Sequence, residues 1–110
     1  MSYVLPHHKL RAFGVAMQLL EAVRAAGIRD SHLRDQAMRA AKSAALNAAE
    51  GAGRVSRADK ARVFAIARAE AVEAAAVEIA VAAGDAAQQS LEAVLAPADR
   101  FVAMMTRLIR

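Results

Sequence analysis

RAAKSAALNAAEGAGRVSR, residues 39–57, decides how the rest of the chain is read. Its first half is dominated by alanine, the best helix former, so it predicts a helix that runs to about Glu50. Gly51-Ala52-Gly53 predicts the end of that helix. Ser56, with Asp59 three residues on, has the pattern of a capping box that opens the next one. Arg54 and Arg57 lie in the turn between them. The same stretch therefore predicts a helical hairpin and the place where positive charge collects.

The composition around it agrees. Of 110 residues, 57% are apolar and 31 are alanine, against five glycines and two prolines. Strands favour β-branched and aromatic residues, so the expected fold class is all-α. At this length one domain, residues 1–110, is expected. Cysteine is absent, which excludes disulfides and thiolate metal sites and is compatible with a reducing compartment. No charge-free run approaches the ~20 residues needed to span a bilayer. The opening MSYVLPHHKLR has no apolar signal core, so the expected location is cytoplasmic, with no membrane partner. A mean hydropathy of +0.23 is high for a small domain, and much of the apolar surface is expected to face copies of the same chain.

Four helices are predicted. The first spans about 7–26, with Pro6 in its opening turn and Gly27 as its stop. Leu10, Phe13, Met17 and Leu20 form its apolar stripe, widened by Ala12, Val15, Ala16, Leu19 and Val23. The second starts after Asp30 or Ser31. Leu33, Ala37, Ala40, Ala41, Ala44 and Ala48 form its inner side, and Gln36, Arg39, Ser43, Asn47 and Glu50 a polar arc. The third runs from Ser56 to about residue 83 as one rod. Val63, Phe64, Ala67, Ala71, Ala74 and Val81 form its core face, with Ile66 and Val77 beside Glu70 and Glu73. The fourth covers about 86–109 and should be kinked or split at Pro97. Short connections predict an antiparallel up-down-up-down four-helix bundle. Folding helix 3 back on helix 2 predicts an Arg39–Glu70 ion pair.

Charge is unevenly placed. Residues 1–68 carry 12 basic and five acidic side chains, residues 69–99 six acids and no Lys or Arg, and residues 100–110 three arginines. An up-down bundle would gather Lys9, Arg11, Arg54, Arg57, Lys60, Arg62, Arg107 and Arg110 at one end, near His7 and His8. Only Glu50 and Asp59 oppose them there. Glu78, Asp85 and Glu92 would fall at the other end, mixed with Arg24, Arg29 and Arg34. A cationic end suits a phosphate backbone read without base contacts. Arg54, Arg57, Lys60 and Arg62 are the leading candidates, with Lys9 and Arg11 behind them. Tyr3 is the only tyrosine and tryptophan is absent, so base stacking has little support. Reaction chemistry finds no support either. No glutamate precedes a histidine by three residues, as di-iron bundles require. Gly51-Ala52-Gly53 lacks the Lys-Ser/Thr of a phosphate-cradling loop. No cofactor, metal or enzymatic activity is expected.

The segment Ala40-Ala41-Lys42-Ser43, with Asn47-Ala48-Ala49-Glu50-Gly51-Ala52-Gly53-Arg54-Val55-Ser56, resembles the signature of the four-helix-bundle proteins encoded in bacterial 23S rRNA intervening sequences. Ser43, Asn47, Glu50, Gly51, Gly53 and Arg54 carry that motif. Phe64-Ala65-Ile66-Ala67-Arg68, Glu73 and Met104-Met105-Thr106-Arg107-Leu108-Ile109 extend the likeness over nearly the whole chain. The chain departs from the pattern at Ala69-Glu70, where the family usually has Gly-Ser, and at Ala44, Ala48 and Pro97. The resemblance implies a homopentameric barrel with no enzymatic activity. It also implies a similarity to accessory proteins of diversity-generating retroelements, which bind nucleic acid and a reverse transcriptase. Its genes also occur away from rRNA operons, so no ribosomal role follows. The expected function is a homo-oligomeric bundle that binds RNA or DNA backbone. The alternative is a scaffold whose partner is another protein.

Overall fold

The computed structural model describes residues 3–110, and among them there is no β-strand. A 3-10 turn, Pro6–Lys9, precedes α1 (Arg11–Ala25), α2 (Ser31–Gly53), α3 (Arg57–Val72), α4 (Ala75–Ala82) and α5 (Gln89–Ile109). Only Glu73 and Ala74, both right-handed helical in φ and ψ, separate α3 from α4. The two are one interrupted segment, and the chain is an all-α protein of four helices. α1 and α3 each pack against both α2 and α5. The smallest dimension is 21 Å, the thickness of two layers of helix.

Local chemistry explains most boundaries. Pro6 does open a helical turn, but that turn is a separate 3-10 piece and α1 begins only at Arg11. Gly27 ends α1 with φ +57°, a conformation that costs a side-chain-bearing residue energy. The Asp30 carboxylate caps α2 by accepting from the Leu33 N–H at 2.9 Å. Three boundaries differ from expectation. α2 continues through Gly51 to Gly53, neither glycine adopts positive φ, and the chain turns at Arg54, whose backbone is extended. α5 is not split at Pro97 but continues through it, with Pro97 buried. The third helix is interrupted after Val72.

That interruption re-phases the core. The Glu73 and Ala74 N–H groups donate to Glu70 and Ala71, and those of Ala76 and Val77 to Glu73 and Ala74, all three residues back. In such turns a step of three residues stays in line, whereas an α-helix rotates by ~60°. Ala71, Ala74 and Val77 are therefore all buried. Val77 enters the core, contrary to its expected flanking place, and Val81 is only half-buried. In α1 the buried set is Ala12, Ala16, Leu19 and Val23, while Leu10, Phe13 and Leu20 are half-buried and Met17 is exposed. The two stripes have the same helical spacing, and the smaller one faces inward.

Among the described residues, thirteen of the 22 buried apolar side chains are alanine. Small side chains let helix axes approach closely. Each buries little area, so Phe101, Leu19, Met105, Val63, Val77 and Val94 supply a disproportionate share of the burial energy, at ~1.5–3 kcal/mol apiece. The predicted Arg39–Glu70 pair is not formed. Glu70 is half-buried over Ala37, Ala40 and Ala41. Arg39 lies roughly 100° around α2 from Ala40 and nearly opposite Ala37 and Ala41, so it points away from that seam.

Candidate nucleic-acid interface

The α2–α3 turn is built by three local devices. Gly51 is buried beneath the Phe64 ring, where a Cβ would lie 2.6 Å from ring carbons. Ser56 Oγ accepts from the Asp59 N–H at 3.0 Å and starts α3. Lys60, one turn into α3, reaches back with its Nζ 2.8 Å from the Ala52 carbonyl and 3.4 Å from that of Gly51. A cation there satisfies free carbonyls and complements the negative end of the α2 dipole. The turn is thus closed by a glycine chosen for its lack of bulk and a lysine acting as a cap.

The capping box is only half made. The Asp59 carboxylate accepts from Arg62 at 2.9 Å and Arg54 at 3.4 Å. The hydrogen bond from Arg62, aided by the nearby Arg54 charge, holds the Asp59 carboxyl below its usual range against the opposing effect of desolvation. Arg54 also lies 3.9 Å from Glu50, and Arg57 donates to the main-chain oxygen of Arg110 at 2.9 Å. The four leading candidates, Arg54, Arg57, Lys60 and Arg62, therefore all have partners within the molecule. Three of them stay exposed and Lys60 is half-buried.

Lys9 and Arg11 are placed differently. Among the described residues neither side chain makes an ion pair or hydrogen bond, and the same is true of Arg107. These three line an open groove of about 380 Å³ whose remaining walls are Leu10, Ala12, Met104 and Leu108. A second groove, of about 280 Å³, is lined by Pro6, Lys9, Leu10, Ala52, Lys60, Phe64 and Leu108. The two share Lys9, Leu10 and Leu108. The 3-10 turn, the α2–α3 turn and the end of α5 therefore meet. His8 Nδ1 accepts from the Leu5 N–H at 2.9 Å, and the His7 ring packs edge-on against Phe13. His8 thus closes the start of the 3-10 turn, and His7 ties that turn to α1.

Other motif residues serve α2. The Asn47 side-chain amide donates to the Ser43 carbonyl at 2.9 Å and lies 3.1 Å from Ser43 Oγ. Gly53 is exposed, with nothing near its missing Cβ. Glu73 is not brought to the cationic cluster. It is exposed at the α3–α4 interruption and borders a shallow groove with Leu33 and Gln36 of the first turns of α2. At the loops beyond α1 and α4, Arg29 binds the Gly84 carbonyl through its side chain and the Asp85 carbonyl through its N–H. Arg107 was expected at this end but not ranked among the leading cations; the structure adds that it lines the same groove as Lys9 and Arg11.

These features define a small all-α protein of four helices in which the 3-10 turn, the α2–α3 turn and the end of α5 line adjoining grooves. The family model for the 23S rRNA-intervening sequence protein matches residues 8–107, and the chain belongs to that family. No curated protein matches it. No helix among the described residues is long and apolar enough to cross a membrane.

Proposed function

We propose that this protein is a non-enzymatic bundle, its consecutive helices alternating in direction, that assembles with copies of itself and binds the phosphate backbone of RNA or DNA through its cationic end. The observation that carries the reading is the meeting of Lys9, Arg11 and Arg107 around one groove, beside Arg54, Arg57, Lys60 and Arg62. Phosphate contacts need exposed cations and no base-reading surface. Self-association is supported by Leu46, Ile66, Val72 and Ile79, all exposed on the outer faces of α2, α3 and α4. A pentamer is the assembly implied by the family resemblance.

The test is purification without nuclease, followed by mass measurement and the ultraviolet absorbance ratio of the same peak. Nucleic acid retained at low salt and released at high salt supports the reading. A clean protein peak at low salt, with another protein stably attached, supports the alternative, a scaffold.

A further inference from the structure

The cations of this end fall into two groups. Arg54, Arg57, Lys60 and Arg62 are engaged with carboxylates or main-chain carbonyls. Lys9, Arg11 and Arg107 are not, and they converge on one concavity rather than spreading along a track. Its volume of about 380 Å³ lies within the ~300–1,000 Å³ usual for small-molecule sites. Its floor is apolar, from Leu10, Ala12, Met104 and Leu108. Arginine presents a planar fork of donors that matches phosphate oxygens, and two are present.

The charge of the ligand follows from this count. A backbone phosphodiester carries one negative charge. A terminal phosphomonoester carries about −1.5 to −2 at neutral pH and three strong acceptor oxygens. Three convergent, unneutralised cations discriminate in favour of the second. An apolar floor beside them suits the flat face of an attached base or sugar better than bulk water does.

We propose that the Lys9–Arg11–Arg107 groove is a site for a nucleotide phosphomonoester, the 5′-phosphorylated end of a strand, with the adjoining nucleoside lying over Leu10, Met104 and Leu108. This rests on the nucleic-acid reading above and adds an end preference to it. A free nucleoside monophosphate presents the same chemistry and is the other source of such a ligand.

The test compares two short RNAs of one sequence, labelled at the 3′ end and carrying either a 5′-phosphate or a 5′-hydroxyl, by fluorescence anisotropy on the full chain. Adenosine 5′-monophosphate is titrated separately by calorimetry. The phosphorylated strand should bind about tenfold tighter, and Arg11→Gln or Arg107→Gln should remove the difference. Arg24→Ala, which breaks only an exposed pair with Glu21, should leave it unchanged. Equal binding of the two strands overturns the end preference and leaves backbone binding standing. If neither strand binds but the mononucleotide does, and Arg107→Gln abolishes this, the groove is upheld and the nucleic-acid reading fails. If nothing binds, both fail.

Discussion

Gly51 of α2 and Phe64 of α3 are in direct contact, with the ring seated where a Gly51 side chain would be. Phe64 is 4% exposed and cannot swing away freely. Gly51→Ala therefore sets a helix-propensity gain of ~1 kcal/mol against an overpacking cost of ~1–3 kcal/mol. The expected result is net destabilisation in urea or thermal melts, eased by adding Phe64→Leu. Gly53→Ala, with nothing around the new methyl, should be neutral or stabilising by up to about 0.5 kcal/mol. Similar behaviour of the two glycines would show that the ring contact is not what requires Gly51.

Lys60 is a cap before it is a ligand. Lys60→Met keeps the stem and removes the donor to the Ala52 carbonyl. A loss of about 1 kcal/mol is expected, with a smaller loss of nucleic-acid affinity than Arg54→Ala produces. Unchanged stability together with a large loss of binding would reverse these roles.

Asp59 restrains two of the candidate arginines. Its folded pKa lies below the unfolded value because of Arg62 and then Arg54. The stabilisation is therefore complete above the unfolded value of ~3.9 and disappears as pH falls through the lower folded value. Asp59→Asn should flatten the acid end of a stability–pH profile and leave little else changed there. The same substitution frees Arg54 and Arg62, so binding to a polyanion should tighten several-fold at neutral pH. A weaker complex would mean that Asp59 orients these arginines rather than competing for them.

Salt dependence checks the placement of the interface. Each phosphate neutralised on duplex DNA contributes ~0.9 to the slope of log affinity against log salt. Arg54→Glu with Arg57→Glu should lower that slope by roughly 2 and weaken binding at least tenfold. Arg29→Glu with Arg34→Glu, in the α1–α2 loop and the first turn of α2, should change the slope far less. Equal effects from the two pairs would remove the reason to assign binding to one end.

Much of this protein was legible in its residues because helix formation is local. Alanine content gave the fold class, Gly27 and Asp30 marked a helix end and a helix start, and Ser56 placed the start of α3. The inner face of α2 was readable because alanines there alternate with polar residues at helical spacing. The assumed short connections also led to the expectation that the start of the first helix, the α2–α3 turn and the end of the last helix would share one end, and residues of all three line the grooves there.

Other features depend on which surfaces meet. Two stripes of α1 have equally good spacing, and only packing against α2 and α5 selects the smaller one. The short three-residue turns at Glu73 and Ala74 bring Val77 inward, a phase shift that an α-helical wheel cannot show. Gly51 reads as a helix stop until Phe64 is seen against it. Lys60 and Arg57 read as free charges until the carbonyls of Ala52 and Arg110 are found beside them. Local sequence sets what each segment becomes, because propensity and capping act within a turn or two of the chain. The three-dimensional arrangement alone decides which charges remain unpaired, because a cation is neutralised by whatever lies within a few ångströms, however distant in sequence.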